Sequence, residues 1–78
     1  MHERHSVRRL RMADLDRILE IERTSFGRDA YDRNLFAEFF HKCGDLFLGV
    51  ERGHTLRGYM VTCIRGEQAE VISVAVDP

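Results

Sequence analysis

"AEVISVAVDP", Ala69–Pro78, is a nearly unbroken apolar run that ends in Asp-Pro. On strict alternation, Ala69, Val71, Ser73 and Ala75 point to one side of a strand, and Glu70, Ile72, Val74 and Val76 to the other. A strand that is apolar on both faces belongs in the middle of a sheet, with layers above and below it and neighbours on both edges. This strand is also the last in the sequence. The expectation is therefore that the sheet continues past it, and that its open edge is a template for pairing.

Two more strands precede it. "LRGYMVTCIR" (Leu56–Arg65) is joined to Ala69 by "GEQ", and "DLFLGVER" (Asp45–Arg52) is joined to Leu56 by "GHT". Turns this short make an antiparallel meander. Upstream the periodicity changes. In "ADLDRILEIERTSF" (Ala13–Phe26), Leu15, Ile18 and Leu19 fall at i, i+3 and i+4 with Ile21 extending the stripe, which predicts a helix with one apolar face. Asp14 and Asp16 suit its N-terminal turn, and Asp14 is a candidate cap. "GRDAYDRN" (Gly27–Asn34) is a connector, and Asp32 or Asn34 opens a second helix carrying Leu35, Phe36, Phe39, Phe40 and Cys43, with Gly44 as its C-terminal cap. "SVRRLR" (Ser6–Arg11) is a first strand. The predicted fold class is α+β in the order β-α-α-β-β-β, a mainly antiparallel sheet covered by two helices.

Composition narrows the function. The chain has 78 residues, is 44% hydrophobic and 32% charged, and carries a net charge of −1. A chain of this size buries only about 60% of its unfolded surface, so its core is small. Eleven of the twelve basic residues are Arg, and Arg8, Arg9 and Arg11 cluster. Because basic and acidic residues are mixed throughout, the cluster reads as a solvated strand edge rather than a phosphate patch, and no nucleic-acid partner is expected. The start has no apolar signal-peptide core and nothing approaches a membrane span, so the expected address is cytoplasmic. Cys43 and Cys63 form no CxxC and no framework, and read as small buried hydrophobes in a reducing compartment. The histidines are scattered, so no metal is expected.

With these residues in place, the chain resembles the first half of a GNAT-superfamily N-acetyltransferase. "VRRLRMADLDRIL" looks like that family's first strand and helix start. "IERTSFGRDAYDRNLFAEFF" resembles the helix–loop–helix of RimI-like protein N-terminal acetyltransferases, with Ala30 and Tyr31 where those proteins commonly carry Pro-Trp. "LRGYMVTCI" is similar to the third strand, and "AEVISVAVDP" to the fourth with its Val-x-Pro. The resemblance implies a partial GNAT domain over 1–78, the N-terminal half of an acyl-CoA N-acyltransferase fold. It implies acetyl transfer from acetyl-CoA to a primary amine, such as a protein N-terminal α-amine. In the family an Arg/Gln-x-x-Gly-x-Gly/Ala turn follows and holds the cofactor pyrophosphate on backbone amides at a helix N-terminus. The 78 residues contain no such turn, so the expectation is that they are inactive alone.

Such chemistry needs an amine freed of its proton, a donor for the carbonyl oxygen and a positioned thioester. By resemblance, the backbone of Val74, Ala75 and Val76 would bind the cofactor arm. Glu70, a carboxylate in an apolar strand, is the candidate base, since burial would raise its pKa; a solvated place beside the "GEQ" turn is the competing reading. Phe26, Arg28 and Tyr31 would shape the acceptor pocket. The alternative from a different class is a non-enzymatic α+β module that forms a homodimer through its exposed last strand.

Overall fold

The computed structural model describes residues 5–43 and 46–77. The element order is β1 (His5–Arg9), a 3-10 turn (Met12–Asp14), α1 (Leu15–Phe26), a second 3-10 turn (Gly27–Asp29), α2 (Arg33–Cys43), β2 (Leu46–Arg52), β3 (Thr55–Arg65) and β4 (Gln68–Val76). This is the predicted α+β order. The expected cap at Gly44, the strand start at Asp45 and the closing Pro78 lie outside the described residues.

The four strands form one antiparallel sheet in the order β1-β2-β3-β4. Both helices pack on one face. Leu15, Ile18, Leu19 and Ile21 of α1 and Phe36 of α2 meet Phe47, Leu56, Tyr59, Val61 and Ala75 of the sheet in a single buried cluster. The stripe at i, i+3 and i+4 thus places α1 as the periodicity predicts. On the opposite face Val7, Val74 and Val76 remain exposed, Val76 to 70%. Among the described residues β4 is an edge strand, not a central one.

The strict alternation expected along β4 is broken. Val61 pairs with Ser73, but the next residue of β3, Thr62, pairs with Val71. Ile72 is therefore the extra residue of a bulge, and it packs against the core cluster although Ser73 beside it is also buried. Directly paired residues share a face, so Glu70, opposite Cys63, lies on the helix side, and Val71, opposite Thr62, on the other. This exchanges the faces predicted for Glu70 and Val71 relative to Ser73.

Helix starts follow local polar chemistry. Asp32 caps α2, its Oδ1 accepting the Leu35 amide at 2.9 Å. Asp14 stands at the N-terminus of α1 but makes no side-chain cap to it. Its carboxylate instead accepts the Arg11 amide at 2.8 Å and both terminal nitrogens of Arg8, at 2.8 and 2.7 Å. The Nε of Arg8 reaches Glu51 at 2.5 Å. Arg8 is thus a clasp between β1, β2 and the start of α1. At the other end Arg17 of α1 donates to the Leu56 carbonyl and to Asp77, each at 2.9 Å, tying α1 to the end of β4.

The two cysteines are not independent apolar residues. Cys43 at the end of α2 and Cys63 in β3 form a disulfide. Sequence spacing could not show this, because the pairing depends on where α2 crosses the sheet.

Candidate functional site

Glu22 is the least expected buried residue. It completes the stripe Leu15, Ile18, Leu19, Glu22 at i, i+3, i+4 and i+7, so the helix directs it into the core, where it is 1% exposed. A buried carboxylate must have its lone pairs satisfied. Glu22 Oε1 accepts the Ser73 hydroxyl at 2.7 Å and the Tyr59 hydroxyl; Oε2 accepts the Tyr31 backbone amide at 2.9 Å. The three donors come from β4, β3 and the helix connector. A carboxylate offers about four lone-pair sites, so one direction on Oε2 is left.

Burial, and then the hydrogen bond to Glu22, push the Tyr59 phenol above its ordinary pKa. Tyr59 therefore remains a donor across the physiological range. Its ring is held by Phe36, edge to face at 6.2 Å. Phe36 and Phe39 in turn hold the Tyr31 ring, at 6.0 and 6.1 Å. Gly27, with φ of +55°, ends α1 and turns the chain into the connector.

Glu22, Tyr31 and Ser73 from this network line a cleft of about 300 Å³. Glu22 forms its floor. Phe26 at the end of α1, with Asp29 and Tyr31 from the connector, makes one wall, and Val71, Ile72, Ser73 and Val74 of β4 make the other. The bulge at Ile72 is the segment of β4 that opens onto it, in keeping with the tendency of bulges to sit beside functional sites and re-aim side chains. The result is a mostly apolar cleft with a carboxylate at the base and Asp29 at the wall. That combination suits an organic cation or amine with an apolar body.

The residues singled out from sequence divide. Phe26 and Tyr31 line the cleft, and Arg28 between them does not. Val74 borders it at the edge of the sheet, whereas Ala75 is buried under α1 and Val76, on the same exposed face as Val74, does not line it. Val74, Ala75 and Val76 pair with Met60, Tyr59 and Gly58 along one edge of β4. Glu70 is exposed, outside the cleft, opposite Cys63; the burial that would suit it as a base is absent. The network adds Glu22, Tyr59 and Ser73 to the residues that the sequence points to. The signal for Glu22 was present, an acidic residue in phase with the apolar stripe of α1. Among the described residues no group of three His, Cys, Asp or Glu side chains could hold a metal ion.

No protein-family model and no curated protein sequence matches this chain. Solved structures do. The chain superposes on Ard1 from Thermoplasma volcanium with a TM-score of 0.84 at 19% identity, over 94% of this chain and 49% of that one. It matches the ribosomal-protein-S18-alanine N-acetyltransferase of Escherichia coli with a TM-score of 0.79 at 18% identity, over 96% and 47%. It matches the PaiA N-acetyltransferase of Thermoplasma acidophilum, solved with coenzyme A, with a TM-score of 0.79 at 21% identity, over 96% and 60%. The chain has the fold of the N-terminal half of GNAT N-acetyltransferases, and spans about half the length of the structures it matches.

Proposed function

We propose that this chain is the acceptor-side half of a GNAT-type N-acetyltransferase, which moves acetyl from acetyl-CoA to a primary amine of the protein N-terminal α-amine class. The observation that carries the reading is the cleft between the helix connector and the bulge of β4, in a chain with this fold. In the reaction the amine nitrogen attacks the thioester carbonyl carbon, the C–S bond breaks, the thiolate leaves, and the nitrogen gives up a proton.

The chain's own residues take distinct parts. Glu22, itself anchored by the buried Tyr59, fixes Tyr31 and Ser73 at the cleft and offers its remaining lone pair to the incoming ammonium group. Phe26 and Tyr31 pack the apolar body of the acceptor. The backbone of Val74 to Val76, on the outer edge of β4, supplies the polar groups for the cofactor arm and the carbonyl oxygen. The proton leaves to solvent, since Glu70, the base suggested by resemblance, lies exposed outside the cleft. Acetyl-CoA is the co-substrate of the intact enzyme, and the 78 residues alone turn over slowly or not at all without a pyrophosphate-binding turn.

A peptide whose N-terminal nitrogen is joined through an acetyl link to coenzyme A tests this reading by calorimetry. The conjugate is expected to bind at least about tenfold tighter than the peptide or coenzyme A alone, because two sites are engaged at once. A conjugate that binds no tighter than its halves contradicts the reading.

A second reading, self-association through β4, is favoured by one observation. Val71, Val74 and Val76 are 54–70% exposed on an edge strand. Sedimentation of the chain at high micromolar concentration is expected to show a dimer on that reading, and a monomer would dismiss it.

A further inference from the structure

Cys43 and Cys63 stand 20 residues apart in sequence with their Cα atoms 4.8 Å apart, joined by a disulfide. The two sulfurs differ in access. Cys63 is fully buried in β3, whereas Cys43, the last residue of α2, is only partly buried. Phe36, Phe39 and Phe40 hold the earlier turns of α2 to the core, and Phe36 is the one fully buried residue among those described in the helix. The disulfide clamps the last turn, beyond those rings.

We propose that Cys43–Cys63 is a reversible thiol–disulfide exchange site for a small-molecule thiol of the glutathione class, and that its oxidation state sets how firmly α2 holds the Tyr31 wall of the cleft. In reduction, a small-molecule thiolate attacks Sγ of Cys43, the less buried of the two residues. The S–S bond breaks, and its electron pair leaves with Cys63 Sγ, which takes up a proton. A second thiolate attacks the small-molecule sulfur of the mixed disulfide, releasing Cys43 as a thiol after protonation and one small-molecule disulfide. Two electrons pass from two thiols to the protein, and oxidation by the small-molecule disulfide is the reverse.

Three features make the exchange a switch rather than a loss of fold. The core cluster comes mainly from α1 and the sheet, so it survives the cut. Reduced Cys63 is a small apolar residue in an apolar place. Phe40 still packs on Phe47, 4.6 Å between ring centroids, but the end of α2 beyond it is released. Coupling to the cleft is short, since α2 carries Phe36 and Phe39, the two rings against which Tyr31 rests. The inference holds whether or not the cleft receives an amine, because its readouts concern sulfur chemistry and the amide of Tyr31.

The test equilibrates the chain in millimolar glutathione buffers from mostly reduced to mostly oxidised, then counts alkylated thiols by mass and measures amide exchange. The pair is expected to convert within that range. On reduction, exchange of α2 amides and of the Tyr31 amide should rise by about tenfold or more, with β2 and β3 changing far less, and Tm should fall by about 10 °C. Cys43→Ser should match the reduced chain in every buffer; Cys63→Ala, which keeps the buried site apolar, serves as the second variant. A disulfide that stays closed in millimolar reduced glutathione is a permanent staple and overturns the proposal. So do thiols that never pair in oxidised glutathione, or α2 and Tyr31 exchange that is the same in both states.

Discussion

The Ser73 hydroxyl donates a 2.7 Å hydrogen bond to Oε1 of Glu22, joining the last strand to the first helix at the floor of the cleft. With Tyr59 and the Tyr31 amide on the same carboxylate, removing Glu22 orphans two buried hydroxyls and a part-buried amide together. Glu22→Ala should lose about 3 kcal/mol in urea unfolding. Glu22→Gln, which keeps an acceptor but brings two unwanted donors, should lose about 1–2 kcal/mol. A loss below about 0.5 kcal/mol for Glu22→Ala would mean the network is not formed.

Tyr59→Phe and Ser73→Ala address the same oxygen of Glu22, so they should not be additive. Each single variant should lose about 1 kcal/mol, and the double-variant cycle should show a coupling of at least about 0.5 kcal/mol. Independent losses that sum within error would place the two hydroxyls on different partners.

Acid stability depends on the clasp at Asp14. Hydrogen bonds from Arg8 hold the Asp14 carboxyl below its ordinary value of 3.8, against the opposing effect of burial. A depressed folded pKa contributes stability that is fully present above the unfolded value and is lost as pH falls through the folded value. The chain should therefore weaken below about pH 4. Asp14→Asn should lower stability at neutral pH by about 1 kcal/mol and flatten the acid limb. Denaturant midpoints from pH 2 to 7 check this, and an unchanged acid limb in the variant would contradict it.

Gly27 turns the chain at φ of +55° with open space where a Cβ would sit. Gly27→Ala should thus cost about 1 kcal/mol from backbone strain alone, without a clash. Because this turn leads into Asp29 and Tyr31, the variant should also shift the Tyr31 amide resonance. A neutral effect on both would show that the turn is not needed.

The elements were legible in the sequence because each has a period and a punctuation. The stripe of α1, the Asp32 cap and the turns at "GHT" and "GEQ" are local, and the structure follows them. The faces of β4 before Ser73 are not legible, because the bulge at Ile72 is set by how β4 registers on β3 and exchanges the faces of Glu70 and Val71. The Cys43–Cys63 bond needs the crossing of α2 over the sheet, which no local pattern carries. Of the residues that resemblance offers for the acceptor pocket, Phe26 at the end of α1 and Tyr31 in the connector line the cleft, and Arg28 does not. The phase of Glu22 with Ile18 and Leu19 points it inward. Glu70 drew attention as an acid in an apolar strand, but lies near the end where the strand runs out to solvent.

The measurement that tests the central claim most directly is a backbone NMR titration of this chain with a short peptide carrying an apolar first residue and a free N-terminus. The same peptide with its N-terminus acetylated is the control. The account predicts shifts at the amides of Asp29, Tyr31, Ser73 and Val74 with the free amine, and far weaker ones with the acetylated peptide, which has lost the charge that Glu22 and Asp29 attract. Equal shifts with both peptides, or shifts confined to the opposite face of the sheet around Val7 and Val76, would contradict it.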